Sequence, residues 1–347
     1  MSRTELADRL AAFQRRLANR PFRAPRWLRN PHAQTFWSPI ARPRPKLAWR
    51  REWLATPDDD RLGLQVLDGR EGAPTLLMLH GLEGSVRSNY VGGLASRVAA
   101  FGWSVVLMEF RSCSGEMNQA PRLYHSGETT DLDHVVRHLV DEIRRGERSG
   151  PIAISGVSLG GNVAAKWFGE TGAAVPDEVA GGVVISIPFD LEVSGPTIDE
   201  ALFGFYTWRF LRTLRPKGVE KAAQYPERLD RARIAGSRTF EEFDTDATAR
   251  LHGFEDAWDY WRRCGCGQFL PQVARPLLVV AAHDDPFNPS RAIPTNVLED
   301  HPLLVPALPP QGGHVGFVYG RPWRTRHWAE EQAEDFLVSV IGGRTLA

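Results

Sequence analysis

The sequence predicts an α/β fold, with a mainly parallel central sheet, helices on both faces and a helical cap insertion. Three observations carry this. Short β-branched or leucine-rich runs with few charges read as strands buried on both faces. Longer helix-period patterns follow most of them, as the crossovers of a parallel sheet do. Between about residues 190 and 272 the rhythm stops, a strand-free gap far longer than an ordinary connection.

Taken in order, residues 4–19 set Leu6, Leu10, Phe13 and Leu17 at helical spacing, which predicts a helix packed on its own domain, with peripheral membrane contact as the alternative. Residues 21–46, dense in Pro and Arg, are expected to wrap the surface irregularly. The chain therefore divides into an N-terminal segment, 1–46, and a main domain, 47–347. Residues 49–55 and 62–67 read as strands joined by the turn Pro57–Asp60. Further strands are expected at Thr75–Leu79, Ser104–Phe110, Ile152–Ser155, Gly182–Ile187, Leu277–Ala282 and Leu303–Val305. Helices are expected at Tyr90–Ala100, Asp131–Arg145, Leu159–Glu170 and Arg324–Ile341. The insertion at about 190–272 concentrates aromatic rings among charges, as a lid over a pocket would. Phe205, Trp208 and Phe254 are the rings expected to line an apolar pocket there.

Composition narrows the function classes. Of 347 residues, 42% are apolar and 24% charged, ordinary values for a globular protein. Lys plus Arg, at 42, equals Asp plus Glu, so the basic excess of a nucleic-acid binder is missing. Local clusters at Arg42–Lys46 and Arg209–Lys217 read as solvated surface. Three cysteines make no disulfide framework, which fits a reducing compartment. Cys264-Gly-Cys266 has neither zinc-ligand spacing nor a second pair, so no structural metal is expected. Charges interrupt the N-terminus, and no run approaches the ~20 apolar residues of a spanning helix. A cytoplasmic protein without an integral membrane segment is expected.

The strongest motif is Gly156-Val-Ser158-Leu-Gly160, lying directly between a strand and a helix. A serine on so sharp a turn needs glycines on either side of it, and the helix N-terminus beneath favours developing negative charge. Serine needs a base, and the base needs an orienting acid. After Leu277–Ala282 comes His283-Asp284-Asp285-Pro286-Phe287-Asn288-Pro289, at the end of a strand where such sheets place ligands. Asp285, four residues before Pro289, is preferred as the acid; Asp284 stays open, either as the acid or as a loop cap. His314, between glycines in Gln311-Gly-Gly-His314-Val-Gly316 and after the last strand, completes the order Ser, Asp, His. The oxyanion donors are expected to be the amides of Leu159, which follows the serine, and of Leu82, which follows His80-Gly81.

Several segments together resemble the YheT-like subfamily of α/β-hydrolases, which includes abhydrolase-domain esterases and lipases. They are Trp27-Leu-Arg-Asn-Pro-His-Ala-Gln-Thr35, His80-Gly-Leu-Glu-Gly84, Phe110-Arg111-Ser-Cys113, Tyr124-His-Ser-Gly127 and the Ser, Asp and His motifs. The chain departs from the subfamily at Glu109 and Ser112, where Asn-Phe-Arg-Gly is expected. His125 and Asp131 stand six apart, so the His-x4-Asp acyltransferase motif is absent and Tyr124–Gly127 reads as a structural loop. The resemblance implies hydrolysis of a small-molecule carboxylic ester, such as a short-chain acyl ester or an acylglycerol, without cofactor or metal. A thioesterase or amidase on the same fold, or a silent binding protein, is the alternative.

Overall fold

In the computed structural model, which describes residues 2–342, eight strands form one sheet. They are β1 Arg50–Ala55, β2 Arg61–Leu67, β3 Thr75–Leu79, β4 Ser104–Glu109, β5 Ile152–Val157, β6 Val179–Ile185, β7 Leu277–Val280 and β8 Leu304–Ala307. Their order is β1-β2-β4-β3-β5-β6-β7-β8. Both pairings of β2 are antiparallel, and every pairing from β4 to β8 is parallel. Successive side chains of a strand point to opposite faces, so both faces of an apolar run must be covered. In β3, Leu77 and Leu79 join one core, while Leu76 and Met78 join the other.

Helices cover the two faces. On one lie α1 (Arg3–Asn19), α3 (Asn89–Ala100) and α12 (Trp328–Phe336), burying Phe13, Leu94 and Phe336. On the other lie α4 (Thr130–Arg144) and α5 (Leu159–Thr171), burying Val135, Leu139, Val163 and Phe168. The chain moves from β3 outward to β4, then returns past β3 to β5. That reversal makes a topological switch point, where open α/β sheets bind ligands beyond their strand ends. Between β6 and β7 lie α6 (Leu191–Glu200), α7 (Phe205–Gln224), α8 (Arg231–Gly236), α9 (Phe240–Phe243), α10 (Arg250–His252) and α11 (Ala257–Cys264), with a third core of their own. No helix among the described residues is long and apolar enough to cross a membrane.

Two expectations need correction. Residues 21–46 are not wholly irregular: they hold a short 3-10 turn, Arg26–Leu28, and α2, Pro31–Ala41. Asn30 caps α2 by accepting the amide of Ala33, and Pro31 occupies the first turn, where its missing N–H is no loss. The local density of Pro and Arg masked this start signal. The last helix begins at Trp328, not Arg324, because Arg324–His327 pairs with Val318–Arg321 as a two-stranded hairpin. The helix 4–19 does pack on its own domain: Phe13 meets Phe336 edge-on at 5.1 Å, and Arg16 grips Asp335 at 2.9 and 2.6 Å.

Candidate active site

Ser158 caps the N-terminus of α5 directly after β5, at φ 53° and ψ −122°, a left-handed backbone that a non-glycine residue rarely adopts. Two glycines make the turn. A Cβ on Gly156 would lie 2.3 Å from the Gly160 carbonyl oxygen, and one on Gly160 would lie 2.3 Å from the His80 carbonyl oxygen. The strained serine is pinned by its amide, which donates to Ile185 O at 2.8 Å, and by its carbonyl, which accepts from Asn162 N at 2.9 Å.

His314 Nε2 lies 2.9 Å from Ser158 Oγ. Its Nδ1 lies 2.9 Å from Asp285 Oδ2 and 3.2 Å from Oδ1. With Nδ1–H donated to the carboxylate, Nε2 is left to accept from the serine hydroxyl. Asp285 is buried, and its oxygens also accept from Phe287 N at 2.8 Å and Asn288 Nδ2 at 3.3 Å. Asp284 instead accepts the amide of Gly313 at 2.9 Å, and burial raises its carboxyl above the usual range. Of the two aspartates, Asp285 meets the imidazole and Asp284 caps the histidine loop.

The amides of Leu82 and Leu159 have no hydrogen-bond partner among the described residues, whereas Gly81 N is engaged by Tyr90 Oη at 2.8 Å. Leu159 opens α5, so its N–H is one of the helix's unsatisfied donors. Both leucines line the same cavity as Ser158 and His314. His80 braces the loop: its ring meets Gly81 O at 2.7 Å and accepts from Phe110 N at 3.2 Å, and complete burial lowers its pKa to about 4. Asp131 forms a two-pronged pair with Arg111, both bonds 2.8 Å, which explains its place near His125 without catalysis.

The cavity, about 110 Å³, runs from Ser158 beneath the insertion. Its apolar wall includes Leu214, Phe240, Phe243, Tyr260, Trp261 and Phe287. Phe205, Trp208 and Phe254 are not in this wall. Phe205 and Trp208 sit on the outer surface, 42% and 51% exposed, and Phe254 packs edge-on against His125 and at a tilt against Tyr260. Phe287, which lies 4.3 Å from the His314 ring, belongs to the acid loop and not to the insertion, so a count of rings in the insertion does not reach it. Among the described residues, His125, Glu128 and His252 bring candidate metal ligands within 4.8 Å of one another. Protein groups already engage them: Gly127 N and Leu123 N donate to the two rings, and Arg122 pairs with the carboxylate.

Sequence comparison matches residues 74–318 to the alpha/beta hydrolase fold family. YheT of Escherichia coli (strain K12), named as an esterase, is 35% identical over 331 residues, covering 91% of this chain and 92% of that protein. Phospholipase ABHD3 of Mus musculus is 27% identical, covering 91% of this chain and 77% of its own length. A monoacylglycerol lipase of Saccharomyces cerevisiae is 26% identical, covering 83% and 63%. Among solved structures, a Pyrococcus furiosus esterase shares the fold with a TM-score of 0.56 at 16% identity, covering 93% of this chain and 99% of that one. The chain belongs to the α/β-hydrolase family, in its YheT-like branch, and is a carboxylic ester hydrolase.

Proposed function

We propose that this hydrolase works through a Ser158–His314–Asp285 triad and a covalent acyl-enzyme. Ser158 Oγ attacks the ester carbonyl as His314 Nε2 takes its proton, and Asp285 stabilises the imidazolium that forms. The Leu82 and Leu159 amides receive the oxyanion. The alcohol leaves with the proton from His314, and a water activated by the same imidazole releases the acid. The acyl group lies in the apolar cavity beneath the insertion, which acts as a cap, and acylglycerol-type or other short-chain acyl esters fit that wall. The single observation that carries the reading is the unbroken line of two 2.9 Å contacts, Ser158 Oγ to His314 Nε2 and His314 Nδ1 to Asp285, at the mouth of an apolar cavity. A fluorophosphonate probe should label Ser158 alone, and Ser158→Ala should lose both labelling and turnover of p-nitrophenyl butyrate. Labelling that persists in the folded Ser158→Ala protein would overturn the assignment.

A further inference from the structure

A second space, a groove of about 430 Å³, meets the apolar cavity at the reacting serine. Leu82, Ser158, Phe210, Phe287 and His314 line both. The two differ in chemistry. The groove is lined by Arg42, Arg44, Arg87 and Arg209. It also carries two carboxylates, and both are already paired. Glu330 is held two-pronged by Arg42, and Glu83 meets Lys217 Nζ at 2.6 Å. Arg87 and Arg209 are exposed and have no ion-pair partner among the described residues. Arg44, also exposed, reaches only the neutral Asn89 Oδ1, at 3.2 Å. Three arginines from three separate stretches thus face one groove without a balancing anion. Two of them come from the basic clusters at 42–46 and 209–217, which the fold brings to the mouth of the site.

An ester bound for attack at Ser158 has two arms. If the acyl arm occupies the apolar cavity, the alcohol arm must lie in the groove. We infer that the groove selects esters whose alcohol portion carries an anionic group, a phosphate or a carboxylate, read by Arg44, Arg87 and Arg209. Guanidinium groups suit both anions because their planar donors match paired oxygens. The same charges raise the local concentration of an anionic substrate at the mouth, an effect that salt screens. This inference rests on the triad reading, since it takes Ser158 as the point where the two arms divide.

The test uses pairs that share the acyl group and differ in charge on the alcohol. 1-Butyrylglycerol is paired with 1-butyrylglycerol 3-phosphate, and phenyl butyrate with 4-(butyryloxy)benzoate. At low ionic strength kcat/KM for the anionic member of at least one pair should exceed that of the neutral member by about tenfold, taking roughly twofold for each of the three exposed charge contacts. The phosphate and carboxylate pairs distinguish which anion is preferred. The combined variant Arg44→Gln/Arg87→Gln/Arg209→Gln should bring that ratio close to one, Arg87→Glu alone should lower it, and salt in the molar range should erase it. Arg145→Gln, a substitution outside the groove, should leave the ratio where it was. A ratio at or below one in both pairs for the unaltered protein, or one unmoved in the triple variant, overturns the inference while leaving the triad standing. If neither member of either pair is hydrolysed and Ser158 is not labelled, the triad reading and this inference fall together.

Discussion

Ser158 holds a left-handed backbone that only its surroundings can impose, and this was legible because glycine chemistry is local. The sequence marks each close approach with a residue lacking Cβ, at Gly156 and Gly160. The choice between the two aspartates was not local, because it depends on which carboxylate faces an imidazole 29 positions away. Asp285→Asn should lower kcat by several powers of ten by favouring the wrong histidine tautomer, a loss of order 10⁴ in comparable triads. Asp284→Asn should keep most of kcat, because its role is to accept the Gly313 amide, which an amide oxygen can still do. Steady-state kinetics on both variants decides it, and a crippling Asp284→Asn would reverse the roles. His314→Ala should cost as much as Ser158→Ala, and the double variant little more, since the residues act as a unit. Asp244, in the cavity wall, carries a different signal. Partial burial raises its carboxyl to about 6, against hydrogen bonds from Thr248 Oγ1 at 2.7 Å and Trp261 Nε1 at 2.9 Å that favour its charged form. Its folded pKa lies above the unfolded value, so its contribution is fully present below about pH 4 and is lost as pH rises through about 6. Asp244→Asn, which stays neutral, should therefore raise the melting temperature relative to the unaltered protein at pH 8, by on the order of 2 kcal/mol of stability. The gap should close toward pH 4. A gap that does not depend on pH would mean that the carboxyl titrates normally.

At the scale of elements, the strand–helix rhythm was readable because buried parallel strands are apolar throughout, whereas the pocket wall was not. The reason lies in helical phase. In α7, Tyr206, Phe210 and Leu214 stand four apart and turn toward the core and cavity, while Phe205, Trp208 and Arg212 share the outer face. Arg212 lies over the Trp208 ring at 5.1 Å, as a cation on a solvent-facing aromatic does. Ring count pointed to the insertion, but only packing tells which face of a helix is inward when both carry aromatics. Ile198 of α6 lies in the wall and is only partly buried, so its size can change without opening the core. Ile198→Ala should shift the preferred p-nitrophenyl ester toward longer acyl chains, and Ile198→Trp toward acetate. Phe205→Ala and Trp208→Ala should leave the optimum unmoved. A shift with the outer pair and none at Ile198 would mean that the acyl group binds elsewhere.

At the scale of the whole molecule, the site depends on both ends of the chain. The loop that carries His314 is held by α2, nearly 280 positions earlier: Thr35 Oγ1 accepts the His314 amide at 2.9 Å. Beside it, the side chain of Gln34, fully buried, donates to Leu28 O and Val318 O, both at 2.9 Å, and accepts Val318 N at 2.8 Å. Such a clamp is invisible to periodicity, since a lone glutamine among Pro and Arg looks solvated. It became visible only when the fold brought residues 30–38 against the histidine loop. Ser186 Oγ completes the support by accepting Val315 N at 3.0 Å, where Val315 itself is left-handed at φ 59°. Two left-handed residues, Ser158 and Val315, are thus both held from the end of β6, by Ile185 O and Ser186 Oγ. Gln34→Leu fills a similar volume but strands three buried backbone groups, so it should destabilise the fold by about 2–4 kcal/mol. Because those groups belong to the loop and its support, the effect should be concentrated there. Amide exchange at 314–318 should quicken more than exchange in β5 or β6. The ester kcat should fall while KM changes little, since the cavity wall is untouched and only the alignment of the imidazole is loosened. Uniform acceleration of exchange across the sheet, with kcat preserved in the folded fraction, would show that Gln34 contributes to global stability alone and that the N-terminal segment does not set the position of His314.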